Sequence, residues 1–192
     1  MMLPTWSIGV GLCILSYALL YNQEMSPLSA IIYSLIIGYL PSYFDGAEYH
    51  GNRYWDWFAT RQRQPLFNGR ILYEEKLDSN LQYIFCSHPH GVMSVHHGML
   101  AAGLTEPPFR DAIPGTRRRH LGASIVFKIP IYRDFLLWIG CVDASRRVAQ
   151  RMLDDGKSLF IVLGGITEQM LAMRTEQTAY VKNRRGSLHH LS

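Results

Sequence analysis

His88 and His90 bracket Pro89 and are followed at once by Gly91, and the run Tyr83-Ile84-Phe85-Cys86-Ser87 leads into them. Imidazole titrates near neutral pH, so such a residue can take a proton from a hydroxyl and return it later. Pro89 stiffens the chain between the two rings, and Gly91 lets the backbone turn tightly where a substrate must come close. A base carried at the end of a buried strand is an arrangement of α/β enzymes. The competing reading is a polar strand end with two solvated histidines. His96 and His97 lie within ten residues of His88, which invites a metal reading. Membrane desaturases build a di-iron centre from several separated histidine boxes, and here His50, His120, His189 and His190 form no second box. The zinc arrangement His-Glu-x-x-His is also absent. The expectation is therefore no metal and no bound cofactor.

The elements that must position these residues follow from hydrophobic pattern and chain breakers. Leu81–Cys86 reads as a short apolar strand and Val92–Ala102 as the helix after it. Thr105 to Arg119 reads as a loop, broken by Pro107, Pro108, Pro114 and Gly115. Leu121–Phe127 is expected to be a second strand, Ile131–Ile139 a short amphipathic helix and Cys141–Asp143 a brief strand. Ser145–Leu153 suits a basic-faced helix with Ser145 as its N-cap, and Ser158–Leu163 a further strand. Strands alternating with helices predict an α/β fold with a largely parallel sheet and flanking helices.

Charge is distributed unevenly along the 192 residues. No Lys or Arg occurs before Arg53, and Glu24, Asp45 and Glu48 are the acids there. All 19 basic residues lie beyond, with 12 acids, so residues 53–192 carry about +7. A basic globular part behind an uncharged apolar head suits an anionic membrane surface. Nucleic acid is the rival partner for basic charge; the apolar head and the lack of a recognisable binding motif argue against it. Leu3–Leu20 and Ser26–Tyr43 are both free of charge and are separated by Tyr21-Asn22-Gln23-Glu24-Met25. Each is marginal against the roughly 20 residues of a spanning helix. Together they predict a membrane-embedded helical hairpin over residues 1–43, followed by a globular domain over 44–192. A cleaved signal peptide lacks support, because no basic n-region precedes the first run. Tyr49 to Phe58 is aromatic and polar, as suits a membrane surface. Basic residues that follow only the second run orient the globular part toward the cytosol. Cys13, Cys86 and Cys141 are odd in number and far apart, which predicts free thiols in a reducing compartment.

Three runs carry a resemblance. Tyr83-Ile84-Phe85 followed by His88-Pro89-His90-Gly91 is similar to the signature of the type 2 diacylglycerol acyltransferase family, which includes monoacylglycerol and wax-ester acyltransferases. Phe160 to Leu163, then Gly164-Gly165 and Glu168, resembles that family's apolar strand, Gly-Gly pair and Glu. Val181-Lys182-Asn183-Arg184-Arg185-Gly186 resembles its basic Asn-containing run. The resemblance covers roughly Tyr54 to Gly186 and implies a glycerolipid acyltransferase-like fold. It implies acyl-CoA as co-substrate, a neutral acylglycerol or fatty alcohol as acceptor, membrane lipid as surroundings and the endoplasmic reticulum membrane as location. A homo-oligomer is compatible with it.

Such a reaction needs a base for the alcohol, a donor for the oxyanion and a hold on the CoA phosphates. On this resemblance His90 is the base, with Gly91 beside it, and His88 assists. Glu168, after Gly164 and Gly165 at a strand end, orients a histidine or binds the acceptor's hydroxyls; a solvated turn carboxylate is the alternative. Arg118 and Arg146, with neighbours Arg117, Arg119 and Arg147, are candidates for CoA phosphates or lipid headgroups, although such clusters are often merely solvated. His96 and His97 fall inside the following helix and are expected to matter much less.

Three departures stand beside the resemblance. Cys86-Ser87 replaces a Gly-aromatic pair, a Tyr-Phe-Pro run upstream is absent, and the pattern stops at Ser192, before the apolar helix and further strands of the family. The last predicts a partial sheet and a truncated chain. It also keeps open a second function, that of a non-catalytic membrane protein binding lipid or a partner. A third, a metal-dependent lipid oxidase, would require stoichiometric iron.

Overall fold

The computed structural model describes residues 17, 21, 26–55, 69–88 and 94–163. It divides into two compact units, Met1–Gly46 and Ala47–Ser192.

In the first unit, helix α1 spans Pro27–Tyr43. Ser26 caps it, its hydroxyl accepting from the Ser29 amide at 3.3 Å, and Pro27 occupies the first turn, where a missing N–H costs nothing. The side chains of Leu28, Ile31 and Leu35 stay exposed. The stretch Pro27–His50 is long and apolar enough to cross a membrane, with a mean hydropathy of 1.3. The first run of the expected hairpin, Leu3–Leu20, lies outside the described residues apart from Tyr17.

The second unit is α/β, as the alternation of patterns predicts. Among the described residues its helices and strands are α2 (Ala47–His50), β1 (Ile84–Ser87), α3 (Val95–Ala102), α4 (Phe109–Ala112), β2 (Arg118–Gly122), α5 (Tyr132–Trp138), β3 (Cys141–Asp143), α6 (Arg146–Asp154) and β4 (Ser158–Val162). The four strands form one sheet in the order β1-β4-β2-β3, and every pair is parallel. Side chains alternate between its faces. Val142 and Leu159 pack with Val148, Ala149 and Met152 of α6. On the other face Cys141 meets Ala101, Phe127, Leu137 and Ile139, while Phe160 meets Phe109 and Ile113. Both faces are therefore covered, as a parallel sheet requires.

One strand differs from expectation. The second strand begins at Arg118 and ends at Gly122, and Val126–Lys128 forms a 3-10 turn where strand was predicted. The start was hidden because Arg118-Arg119-His120 reads as polar loop. Within the sheet these residues pair with Ser158, Leu159 and Phe160, and the two guanidinium groups donate to internal carbonyls. Part of the expected loop before them is also ordered, as α4 and a 3-10 turn at Gly115–Arg117. At α6 the backbone cap is Ser145, as predicted. The Asp143 carboxylate accepts from the Ser145 amide at 2.8 Å, and the Ser145 hydroxyl makes no capping bond.

A buried ionic network ties α2 to α5. Arg133, 1% exposed, donates to Glu48 at 2.5 Å, and Asp134 accepts from Arg53 at 2.5 Å. Beside it the Trp55 and Trp138 rings stack at 4.7 Å. Gly140 turns the chain from α5 into β3 at a φ of 92°, which favours glycine, and a Cβ there would press the Tyr54 ring at 3.2 Å.

Candidate active site

The apolar half of β1 is driven inward by aromatic packing. Phe85 stacks on Phe160 at 4.5 Å and meets the edge of Phe109 at 5.4 Å. That anchors the strand so that it surfaces at Cys86, which is exposed, and delivers His88 to solvent just past its end. His90 and Gly91 lie outside the described residues, as do Gly164, Gly165 and Glu168. The ends of the strands that carry them are described. β1 and β4 are sheet neighbours with Ser87 opposite Val162, and the Leu163 amide donates to the Ser87 carbonyl at 3.4 Å. The histidine run and the Gly-Gly run therefore leave two adjacent parallel strands at the same, carboxyl end, where parallel sheets place their sites.

Helix α3 follows the histidine run and is closed by Gly103 at a left-handed φ of 71°. Its two histidines diverge, because successive helical residues point about 100° apart. His96 reaches back to the strand end, with Nε2 at 2.7 Å from the Ser87 hydroxyl. His97 turns into the core, with Nε2 at 3.1 Å from His120 Nδ1. His120 is fully buried and stacks on Phe160 at 5.0 Å. Burial pushes its pKa well below the ordinary imidazole value, and His97, Arg118 and Arg119 push the same way, so it is neutral. Neither histidine contact was predicted. The sequence signal for the first was a serine at the strand end and a histidine in the first turn of the next helix.

The candidate arginines separate by burial. Arg118 is 2% exposed and lies over the Phe109 ring at 4.9 Å. It donates to the carbonyls of Ile113 and Leu100 at 3.3 and 3.4 Å, and burial pulls its pKa down to about 10. Meeting a phosphate would require it to leave those carbonyls. Arg119 is likewise inside, donating to the carbonyls of Gly115, Arg118 and Gly51. Arg117 donates to the carbonyls of Ser79 and Asn80. Arg146 and Arg147 are exposed on the first turn of α6. Arg147 and Arg151 line a cavity of about 310 Å³ with Tyr49, His50, Ser145 and Val148. Among the described residues no three His, Cys, Asp or Glu side chains gather in a way that could hold a metal ion.

Comparison with known proteins bears on the same residues. The family model described as diacylglycerol acyltransferase matches residues 25–190, a range that includes all three motif runs. The chain is 32% identical over 151 residues to diacylglycerol O-acyltransferase 2A of Umbelopsis ramanniana, covering 74% of this chain and 42% of that protein. It is 28% identical over 194 residues to diacylglycerol O-acyltransferase 2B of the same organism, covering 95% and 52%. It is 28% identical over 195 residues to human 2-acylglycerol O-acyltransferase 1, covering 94% and 57%. The chain thus spans about half the length of these curated relatives. No solved structure matches it. With the family model matched over most of its length, this chain belongs to the diacylglycerol acyltransferase family.

Proposed function

We propose that this chain serves the transfer of a fatty acyl group from acyl-CoA to the hydroxyl of diacylglycerol or a related neutral lipid alcohol, at the cytosolic face of the endoplasmic reticulum membrane. The observation that carries the reading is the sheet order. It sets the end of β1, leading to His88-Pro89-His90-Gly91, beside the end of β4, leading to Gly164-Gly165 and Glu168. The family match and the names of the relatives supply the substrate class. The apolar stretch Pro27–His50 and the basic bias beyond Arg53 support membrane attachment and the cytosolic orientation.

In this mechanism His90 takes the proton of the acceptor hydroxyl as the oxygen attacks the thioester carbonyl. Gly91 allows the backbone to come close to the reacting carbon, and amides near it and near Gly164-Gly165 steady the oxyanion. Collapse of the tetrahedral intermediate expels the CoA thiolate, which takes back the proton from His90. His88 and Glu168 hold the acceptor or orient His90. Arg146, exposed on α6, is our candidate for the negative charge of CoA, while Arg118 enters such a contact only by leaving its buried carbonyls.

The test is transfer of a labelled acyl group from acyl-CoA to added acylglycerols, in membranes lacking background activity. His90→Ala should lower turnover at least about a hundredfold, the scale of a positioned general base. Full activity in that variant refutes the mechanism. Release of the protein from membranes by alkaline carbonate refutes the anchor.

A further inference from the structure

The cavity of about 310 Å³ between α2 and the start of α6 has two arginines and no acidic residue in its lining. Arg147 is exposed and, among the described residues, makes no hydrogen bond or ion pair. Arg151 is half-buried, and its Nη1 donates to the Tyr49 carbonyl at 3.3 Å and to His50 Nδ1 at 2.9 Å. The second bond fixes a tautomer. A guanidinium only donates, so Nδ1 accepts and the His50 proton sits on Nε2, where it is a donor in turn. The Ser145 hydroxyl makes no capping bond. The neighbouring carboxylates are engaged elsewhere: Asp143 with the Ser145 amide, Glu48 with Arg133 and Asp154 with Gln150. Two guanidinium groups, an imidazole N–H and a hydroxyl on one cavity, with no carboxylate to oppose them, suit an anion with several acceptor oxygens. Phosphate has that chemistry.

We propose that this cavity binds a phosphate group, presented by the headgroup of an anionic membrane lipid. Tyr49 and His50 are the last two residues of Pro27–His50, the stretch long and apolar enough to cross a membrane. The end of such a stretch lies at headgroup level, where tyrosine is favoured. The volume is at the small end of ligand sites, roughly 300–1,000 Å³, which suits a headgroup better than the whole of CoA. Ser145 follows β3, whose carboxyl end lies on the same edge of the parallel sheet as those of β1 and β4. A headgroup held there keeps that edge of the sheet at the bilayer, where a lipid acceptor arrives. That consequence rests on the function proposed above; binding of the headgroup does not.

The experiment titrates the full chain in nonionic micelles with dihexanoyl phosphatidic acid, read by isothermal titration calorimetry after subtraction of the heat with empty micelles. Dihexanoylglycerol, inorganic phosphate and CoA are the other arms. The phosphatidic acid should bind to one site. Dihexanoylglycerol, which has the chains without the phosphate, should not compete. Inorganic phosphate and CoA should each bind at least about tenfold more weakly than the lipid. Arg147→Gln should weaken phosphatidic acid binding about tenfold, the scale of one charge-assisted contact, and Arg147→Gln/Arg151→Gln at least about a hundredfold. Lys76→Gln removes one exposed positive charge outside the cavity and should change affinity less than about twofold.

No binding of phosphatidic acid by the unmodified chain overturns the site, as does unchanged affinity in Arg147→Gln. A loss in Lys76→Gln as large as that in Arg147→Gln also overturns it, because the attraction would then be to net charge alone. Arg151 helps to hold α2, so if the double variant does not fold, Arg147→Gln decides. CoA or inorganic phosphate binding as tightly as the lipid, with the same loss in Arg147→Gln, overturns the lipid source and gives the cavity to a soluble phosphate. Absence of acyl transfer by the unmodified chain, with lipid binding as expected, sinks the acyl-transfer reading and leaves the headgroup site supported.

Discussion

Replacing Glu48 by alanine tests the buried network that holds α2 against α5. Arg133 is 1% exposed and its short contact is to Glu48 at 2.5 Å; Asp134 stands farther off at 3.8 Å and is already engaged by Arg53 at 2.5 Å. Without Glu48 the guanidinium stays buried while sharing one carboxylate with a second arginine. Breaking a buried pair by removing one partner costs about 3–5 kcal/mol. The residual attraction of Asp134 puts Glu48→Ala at the lower end, about 3 kcal/mol. For a unit of this size each kcal/mol moves the midpoint by about 2–4 °C, so Tm should fall by about 6–12 °C. Glu48→Gln retains an acceptor and should lose less, about 1–2 kcal/mol. The control is Asp111→Asn. Its pairing with Arg110 is long, 3.8 Å, and its side chain is 65% exposed, so the change should fall below about 1 kcal/mol. The double variant Glu48→Ala/Arg133→Met should regain much of the loss, because the buried charge has gone with its partner. Thermal unfolding of the full chain in micelles, followed by near-ultraviolet circular dichroism, reads all four; the stacked Trp55–Trp138 pair provides a local signal. A Glu48→Ala shift no larger than that of Asp111→Asn would refute the reasoning.

His120 gives the stability a pH dependence of known sign. Its folded pKa is depressed by burial and by His97, Arg118 and Arg119, so below an unfolded pKa of about 6.5 the unfolded state binds the extra proton. The contribution is fully present above that pH and declines as pH falls, by up to about 1.4 kcal/mol per unit. His120→Phe, which keeps a ring against Phe160, should flatten the fall of Tm between about pH 6.5 and 5; an unchanged slope would remove His120 as its source. Burial pushes the Cys141 thiol up to about 12, whereas Cys86 is exposed. A maleimide should therefore modify Cys86 in the native protein and Cys141 only on unfolding, as peptide mass mapping would show, and equal native rates would contradict the buried position of Cys141.

Several elements were legible from local pattern alone. Cys141–Asp143, the helix from Tyr132 to Trp138, α6 and the strand at Ser158 follow from short apolar runs, helical spacing and Gly or Ser boundaries. The histidine run at the end of an apolar strand could be recognised because it combines chain direction with side-chain chemistry over a few residues. Family membership followed from such short runs in their order. What local pattern cannot carry is the environment built by distant chain. Arg118-Arg119-His120 became strand because carbonyls of Ile113, Leu100, Gly115 and Gly51 accept its guanidinium protons and because β4 pairs with it. The same burial makes Arg118 a donor to the internal carbonyls of Ile113 and Leu100. The neighbouring exits of β1 and β4, more than 70 residues apart in sequence, depend on a strand order that no periodicity encodes. The opposite fates of His96 and His97 were decided in the same way. The rotation of one helical residue aims the first at Ser87 and the second at His120, and only the packed position of α3 against the sheet sets which is which.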